Sequence, residues 1–371
     1  MKETRRATAS GRVRRFRDVP HEGQTPLTFV ASGFVDHHAH ALRCVTGTPL
    51  PWGDLSGVRR FHADCIERGV SPVDVDEPES DVDLVTLTRR ALREAAQCGI
   101  VELWEAGIRS WKYLDALLEV RERDEPLPVR VRLLVAAGLA ESEMRPRVGD
   151  AWVEIEGVKF YADGWLGSRT CALSSDFGDE PANSGLLFQS SDGLARRIDP
   201  FARDGWLIAT HAIGDRAIDT VLDAYEQVYG GDLRLAAPRI EHAQVLREDL
   251  VARIAELGVV VCIQPGFAVD DQHHAHSALG EAWPLAYRWD RLMDAGVRVI
   301  CGSDYPIDSI EPLSGLQKLV RNPFSPMDVA TALALMTDGS AGSVELGRSP
   351  LDCDEGEIDT IPVVSTSPLP L

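Results

Sequence analysis

The sequence predicts a (β/α)8 TIM barrel, a closed barrel of eight parallel strands surrounded by helices. Short β-rich runs alternate with amphipathic helical stretches, which is typical of parallel sheets with crossover helices. Histidine, lysine and aspartate side chains recur where the apolar runs end, and the C-terminal ends of barrel strands share one rim. The chain has 371 residues, 44% of them hydrophobic, which is ample for a barrel of roughly 250 residues.

Each predicted strand is a short apolar run, and each predicted helix places apolar residues three or four positions apart. The predicted strands are, in chain order, Leu27–His37, Ile100–Glu105, Val129–Ala136, Val153–Tyr161, Leu207–His211, Arg239–His242, Val259–Gln264 and Val297–Gly302. The predicted helices are Val82–Gln97, Trp111–Arg123, Arg216–Val228, Arg247–Leu257, Leu285–Ala295, Leu313–Leu319 and Ser325–Met336. The long connections Ala41–Asp81 and Asp163–Arg196 are predicted to form a lid or substrate wall, and Ser365–Leu371 a frayed tail.

Composition excludes several classes of protein. The formal net charge is −20, and a nucleic-acid or anionic-membrane surface needs clustered Lys and Arg that carboxylates do not dilute. No run of about 20 apolar residues and no signal-peptide core is present, so we expect a cytoplasmic protein with no membrane partner. Seven cysteines without a Cys-x-x-Cys pair favour reduced thiols over a disulfide framework.

The first strand carries the most informative motif, Asp36-His37-His38-Ala39-His40. His38 and His40 are two residues apart, so on a strand both side chains face the lumen, whereas His37 is predicted to face the helix layer. Two imidazoles on one face suit a metal ion. Two packed core histidines are the alternative.

Four further candidate ligands close later strands. Lys159 lies in an apolar strand, where a bare ammonium is costly unless it is paired or neutralised. Carbamylation by carbon dioxide would turn it into a bridging anion, and an ion pair with Asp163 or Asp304 is the alternative. His211 and His242 follow apolar strands and suit a borderline metal such as zinc. Asp304 could bind metal and accept a proton from water, or could cap a helix.

Other polar residues near the strand ends each have two alternative roles. Asp215 and Glu241 could orient a ligand ring, or could be helix-start and surface carboxylates. Arg169 could donate two hydrogen bonds to a substrate carboxylate, or could clasp its own loop. The histidine-rich stretch around His273 is either a solvated loop or part of the pocket. The candidate contacts to a small-molecule substrate are Arg169, Trp165, Trp104, Gln264, His273 and Tyr305.

Taken together, Gly-Phe-Val-Asp-His-His-Ala-His, Gly-Val-Lys-Phe-Tyr-Ala-Asp-Gly, His-Ala-Ile-Gly-Asp, Arg-Ile-Glu-His-Ala-Gln and Gly-Ser-Asp-Tyr-Pro resemble the metal-dependent amidohydrolase superfamily. The resemblance runs from about Phe29 to Ala341 and is strongest to amidohydrolase family 3, the YtcJ-like and N-substituted formamide deformylase-like branch. It implies one or two divalent ions, with zinc expected, on His38, His40, carboxylated Lys159, His211, His242 and Asp304.

The resemblance also implies an activity. A metal-activated water would hydrolyse an amide or another non-peptide C–N bond, as in N-acyl or N-formyl amines, with Asp304 as the catalytic proton carrier. The alternatives are a mononuclear deaminase or cyclic-amide hydrolase in which Lys159 stays an amine, and a catalytically silent regulatory or binding relative.

The termini depart from the family pattern, in which longer segments form a small β-sandwich. Residues 1–28 and 342–371 are therefore expected to be remnants of a reduced or absent sandwich around a barrel of residues 29–341. A homodimer is expected as a possible source of the missing cover.

Overall fold

The computed structural model describes residues 3–7, 13–17, 28–44, 83–124, 126–147 and 149–370. Two short strands come first, β1 (Glu3–Ala7) and β2 (Val13–Arg17). Eight parallel strands follow, and each pairs with the next. They are β3 (Phe29–Ala39), β4 (Ile100–Ile108), β5 (Arg130–Ala136), β6 (Val153–Tyr161), β7 (Leu207–Ala212), β8 (Arg239–His242), β9 (Val260–Ile263) and β10 (Val299–Cys301). The predicted α/β barrel is confirmed.

The barrel closes where the segment after β10 meets the end of β3. Asp304 N donates to His38 O at 2.6 Å, and His40 N donates to Tyr305 O at 2.8 Å. Gly302 permits this approach, because a Cβ at this position would lie 2.5 Å from both the Cβ and the backbone nitrogen of His38. A side chain here would push the first and last strands apart.

Twelve α-helices accompany the strands in the described ranges. They are α1 (Ala41–Cys44), α2 (Leu84–Gln97), α3 (Trp111–Arg123), α4 (Ala137–Ser142), α5 (Ser191–Arg203), α6 (Asp215–Tyr229), α7 (Glu248–Leu257), α8 (Pro265–Asp271), α9 (Ala275–Leu279), α10 (Trp289–Asp294), α11 (Pro312–Val320) and α12 (Val329–Met336). In the described ranges, none is long and apolar enough to cross a membrane.

The structure differs from the predicted connections in three places. The loop after β6 ends earlier than Arg196, because Ser190 caps α5 by accepting from Gly193 N at 3.2 Å. The predicted helix Leu285–Ala295 is instead the end of a 3-10 helix, Gly280–Leu285, followed by α10. Tyr287 has a left-handed φ of 51°, which no continuous helix allows. Of the loop Ala41–Asp81, α1 is described and residues 45–82 lie outside the described ranges.

A small outer sheet extends from the N-terminal half of β3. Strand β11 (Thr337–Leu346) pairs antiparallel with β3 and with β12 (Val363–Pro368), and β1 pairs parallel with β3. The prediction of a frayed tail was therefore wrong for residues 365–368, because β12 is paired with β11 from Val363 to Pro368. Strand β11 also runs across the expected boundary at residue 341, and the three-part division of the chain stays a prediction.

The strands separate an apolar outer layer from a lumen of mixed character. Side chains such as Val158, Ile240 and Val261 join the large core between strands and helices. Inside the barrel, a small apolar cluster contains Val260, Cys262 and Ile300. Charged and polar side chains share the lumen with this cluster, and they form the site described next.

Candidate metal centre

Three predicted residues meet where the barrel closes. Asp304 Oδ1 lies 3.4 Å from His38 Nε2 and 3.3 Å from His40 Nε2, and the two imidazole rings are 5.5 Å apart. Asp304 adopts a left-handed φ of 56°, which turns its carboxylate back toward β3. The predicted lumen-facing histidine pair and the carboxylate after the last strand are thus brought together.

His211 and His242 complete the group from β7 and β8. The ring of His242 is 5.0 Å from the ring of His38 and 4.5 Å from the ring of His211. The left-handed φ of 80° at His242 ends β8 and directs the ring inward. Four histidines at the ends of three strands therefore surround one buried volume with Asp304.

Three of these rings are oriented by a hydrogen bond through one nitrogen. His38 Nδ1 donates to Glu241 Oε2 at 2.6 Å, and His242 Nδ1 donates to Gln264 Oε1 at 2.7 Å. His211 Nε2 donates to Gly164 O at 2.8 Å. In the neutral form of each imidazole, the other nitrogen keeps its lone pair for a metal, which is how proteins orient histidine ligands.

Lys159 is buried beside this group with 1% of its surface exposed. Within the described part of the chain, its Nζ has no hydrogen-bond partner and lies 5.0 Å from the centre of the Tyr161 ring. Neither Asp163 nor Asp304 pairs with it, so the ion-pair alternative is not what the structure shows. A buried ammonium without a partner is costly, so Lys159 is a candidate for a functional role.

The charges of the site favour a bound cation. Burial opposes ionisation of Asp304, but His38 and His40 outweigh it and hold the pKa of this carboxyl well below its usual range. Burial, then the neighbouring His211, holds the pKa of His242 well below its usual range. Near neutral pH the carboxylate is ionised and the His242 imidazole is neutral, as metal ligands must be.

The donor set fits a divalent metal. Ligand atoms of His38, His242 and Asp304 lie within 4.8 Å of one another, and all three residues are buried. Imidazole nitrogen and carboxylate oxygen suit zinc and its neighbours in the transition series. A second group, His38, Glu241 and Cys262, is equally compact. It is unsuited to a cation because the Arg239 guanidinium already neutralises Glu241.

The contacts of Glu241 and Asp215 show which of these carboxylates orients a histidine ring. Glu241 contacts the His38 ring and so orients it. Asp215 instead accepts from Ser174 N and Arg247 Nη1, both at 2.9 Å, and ties two loops together. The carboxylate near His211 is Asp163, whose Oδ1 lies 3.3 Å from Nε2 of that ring.

Arg169 clasps its own loop, which was the alternative to substrate contact. Its Nε and Nη2 donate to Asp179, and Nη1 donates to the carbonyl oxygens of Leu166 and Gly167. Contact of this guanidinium with a substrate stays a prediction. A left-handed φ of 60° at Arg169 bends the loop back on itself.

Other predicted substrate contacts also have structural partners. Gln264 orients His242, and its Nε2 donates to Cys262 O at 3.3 Å. Trp104 is stacked between arginines in the lumen below the histidines. The side chain of Trp165 packs partly buried against the large core, Tyr305 packs against a small cluster that includes Ala39, and His273 is exposed between α8 and α9.

Sequence reasoning missed two aromatic residues that contact the ligand rings. Tyr161 stacks on His211 with ring centres 5.0 Å apart, and Phe267 stacks on His242 at 6.0 Å. Tyr161 ends β6 two residues after Lys159, so period-2 alternation from Lys159 could have placed it in the lumen. Phe267 lies on α8, which no pattern in the sequence had indicated.

Asp36 is a third missed residue. Its Oδ1 accepts from His38 N at 3.1 Å and from Ser303 N at 3.0 Å, and its Oδ2 accepts from Ser303 Oγ at 2.6 Å. Burial raises the pKa of Asp36 to about 6 against these hydrogen bonds. Asp36 thereby fixes the segment before Asp304 to the strand that carries His38.

The prediction that His37 faces the helix layer was wrong. Its ring centre is 5.7 Å from Trp104, whose own neighbours are lumenal arginines. The pairing of β3 with β4 shifts register between Asp36 and Ala39, and such a bulge breaks the alternation of side chains. Burial, then Arg239, lowers the pKa of His37 to about 3, so this ring stays neutral.

The sequence is similar to a protein family and to two named proteins. The model of the amidohydrolase family (Amidohydro_3) matches residues 63–349. YtcJ of Bacillus subtilis (strain 168), which is named as an amidohydrolase, is 31% identical over 255 residues, covering 65% of this chain and 48% of that protein. N-substituted formamide deformylase of Arthrobacter pascens is 29% identical over 197 residues, covering 43% of this chain and 35% of that protein.

A solved structure supports the same fold. An uncharacterized metal-dependent hydrolase from Pyrococcus horikoshii OT3 superimposes with a TM-score of 0.70 at 22% identity, covering 89% of this chain and 88% of that one. The present chain spans about half the length of YtcJ and about a third of the deformylase.

Proposed function

Because this chain belongs to the amidohydrolase family, we propose that it is a metal-dependent hydrolase that cleaves an amide or another non-peptide C–N bond. The convergence of His38, His40, His211, His242 and Asp304 beside buried Lys159 carries this proposal. A binding protein or structural relative would have no need of so many buried ligand-type side chains with their own orienting partners.

The metal would be held by the four histidines and Asp304, with zinc as the proposed ion. When bound, a divalent metal polarises a carbonyl group and lowers the pKa of water, which supplies the nucleophile near neutral pH. One ion suits the compact group of His38, His242 and Asp304. A second ion requires an anionic ligand at Lys159.

Carboxylation of Lys159 would supply that ligand. The neutral amine would attack carbon dioxide, a C–N bond would form, and one proton would leave the nitrogen. The product is an anionic carbamate that can bridge two cations. The absence of an acceptor for Lys159 Nζ among the described residues supports this step, because the modification replaces an unpaired buried ammonium with an anion that bound cations would neutralise.

Asp304 would carry the proton. Its carboxylate is ionised near neutral pH and lies within 3.4 Å of both imidazoles of β3, so it is fixed in one place. It would take a proton from the attacking water and deliver it to the leaving nitrogen. Tyr161 and Phe267 would line the approach beside His211 and His242.

The proposed substrates are N-formyl and N-acyl amines, and a mononuclear deaminase is the second candidate. His242 is oriented by the neutral amide of Gln264, and the three oriented rings could all serve a single ion. Both features are compatible with a mononuclear deaminase. The number of metal ions per chain and the state of Lys159 distinguish the two. A catalytically silent relative would bind neither metal nor substrate, and the expected homodimer is tested separately by light scattering.

The first experiment measures metal per chain on protein purified without chelator, together with the mass of the Lys159 peptide under conditions that preserve a carbamate. Two ions and a carbamate support the binuclear hydrolase, whereas one ion and a free amine support the deaminase. No metal, even after addition of zinc, would refute both.

The second experiment screens N-formyl amines, N-acyl amines, cyclic amides, aminated heterocycles and dipeptides with the metal-loaded enzyme. Asp304→Asn is expected to lower kcat by about 10²- to 10⁴-fold, the usual contribution of a proton carrier. Asp215→Asn is the matched control, since Asp215 is an equally buried carboxylate whose contacts lie outside the site. Full activity of Asp304→Asn with unchanged metal content would exclude the proposed role.

A further inference from the structure

We infer that Arg239 and Trp104 are positioning residues that act on the metal ligand His38 through Glu241. The inference goes beyond the proposed reaction, although it rests on the metal site of the proposed function. It assigns a role to a set of charged side chains in the lumen, below the histidines. These side chains are Arg132, Trp104, Arg239 and Glu241, called here the lumen column.

The upper end of the lumen column is a single guanidinium with two tasks. Arg239 Nε and Nη2 donate to Glu241 Oε1 at 2.9 and 2.8 Å, while Glu241 Oε2 accepts from His38 Nδ1 at 2.6 Å. Arg239 Nη2 also donates to the carbonyl oxygen of His37 at 3.3 Å. One side chain thus holds both the carboxylate that orients the His38 ring and the backbone immediately before it.

Trp104 holds that guanidinium in place. The Arg239 guanidinium lies 4.7 Å from the centre of the Trp104 ring, and the guanidinium of Arg132 lies 5.4 Å from it. Trp104 Nε1 donates to Glu102 Oε1 at 2.9 Å, which fixes the plane of the indole. An indole between two guanidinium groups, with its N–H anchored, leaves Arg239 little freedom to leave Glu241.

Arg239 supplies the counter-charge for Glu241. Glu241 is fully buried, and a buried carboxylate is costly unless it is paired and hydrogen-bonded. Its Oε1 accepts both hydrogen bonds from Arg239, which leaves Oε2 directed at His38 Nδ1 and turns the opposite ring nitrogen, Nε2, toward Asp304. Without Arg239, Glu241 would lose both contacts to Oε1 and would be free to turn away, so the His38 ring would lose its orientation.

The two β-strand histidines of the compact group are supported unequally. His38 donates to a charged carboxylate, whereas His242 donates to the neutral amide of Gln264. Substitutions in the lumen column should therefore weaken metal binding, although apart from Glu241 its side chains do not contact the proposed ligands. Loss of such a supporting contact typically weakens metal binding 10- to 100-fold.

The test compares the zinc affinities of purified variants by competition with a chromophoric chelator, alongside the thermal unfolding of each metal-free protein. Arg239→Met is expected to weaken zinc binding about 10- to 100-fold. Trp104→Leu is expected to weaken it less, and Trp104→Phe, which keeps an aromatic face under Arg239, least. Glu241→Gln serves if Arg239→Met does not fold, because the amide preserves shape while removing the charge.

Arg253→Met is the control for the loss of an ion-paired guanidinium. Arg253 pairs with Asp219, Asp223 and Glu226, and none of these residues contacts the lumen column. It should lower the unfolding temperature while leaving zinc affinity within about twofold. Equal losses of affinity in Arg239→Met and Arg253→Met, or wild-type affinity in Glu241→Gln, would overturn the inference. Failure of the wild-type protein to bind zinc would instead refute the proposed function.

Discussion

Replacement of Gly302 by alanine tests whether the closure of the barrel sets the geometry of the candidate metal centre. The added methyl carbon would lie 2.5 Å from His38 Cβ, whereas ordinary contact begins at 3.4 Å, so the two strands must separate by about 0.9 Å. Overpacking of this kind typically costs about 1–3 kcal/mol of folding free energy. Because Gly302 lies two residues before Asp304, the same displacement separates Asp304 from His38.

The predicted consequence is a loss of both stability and metal binding in Gly302→Ala. A displacement of about 1 Å can reduce a rate about 100-fold, so we expect a similar loss in kcat/KM once a substrate is known. Urea unfolding and chelator competition measure the two effects. Gly231→Ala is the control, since a Cβ there meets nothing within 4 Å. If Gly302→Ala matched Gly231→Ala in unfolding midpoint and zinc affinity, the account of barrel closure would be incorrect.

Three further predictions concern residues around the site. Gln264→Leu should weaken zinc binding about 10- to 100-fold, because the Nδ1–H of buried His242 loses its acceptor, and equal affinity by chelator competition would argue against that role. Arg169→Met and Asp179→Asn should each speed proteolysis of the loop between β6 and α5 to a similar extent; a selective rise in KM for carboxylate-bearing substrates in Arg169→Met alone would restore substrate contact. The Asp271 carboxylate lies 2.9 Å from His274 and raises the pKa of that imidazole through its hydrogen bond. The pair therefore stabilises the fold below about pH 6.5, and this stabilisation is lost as the pH rises through the raised pKa of His274. The stability difference between wild type and His274→Gln, measured by urea unfolding, should therefore be larger at pH 5.5 than at pH 8.5, and a difference independent of pH would contradict this.

The strands and their terminal residues were predictable because the signal for them is local. Strands β6 and β8 begin and end at the predicted residues, and the ligand-type side chains His38, Lys159 and His211 mark the ends of apolar runs. Parallel barrel strands place their C-terminal ends on one rim, so convergence follows from topology without any knowledge of loops. The residue types at the strand ends were therefore enough to predict the candidate site.

Glu241 was a candidate for orienting a ligand ring, but the other orienting contacts were not predictable, because each depends on contacts between distant parts of the chain. Gln264 was placed among substrate contacts, although its carbonyl oxygen orients His242 from the neighbouring strand. Arg169 has the composition of a substrate anchor, but Asp179 and two loop carbonyls lie within reach of its guanidinium only after the loop folds. The His37 side chain faces the lumen because a bulge in β3 breaks the alternation of side chains between the two faces of the strand. No residue in that stretch predicts the bulge.

The lumen explains why a barrel with this site needs charged residues well below its rim. An apolar lumen would leave Glu241 without a counter-charge, and His38 would then have no ionised acceptor for its Nδ1–H. Arg239 supplies the charge, Trp104 fixes Arg239, and Glu102 fixes Trp104, so each of these groups holds the next in place. Such a network is costly when it is broken, so the orientation of His38 constrains side chains on four strands, β3, β4, β5 and β8.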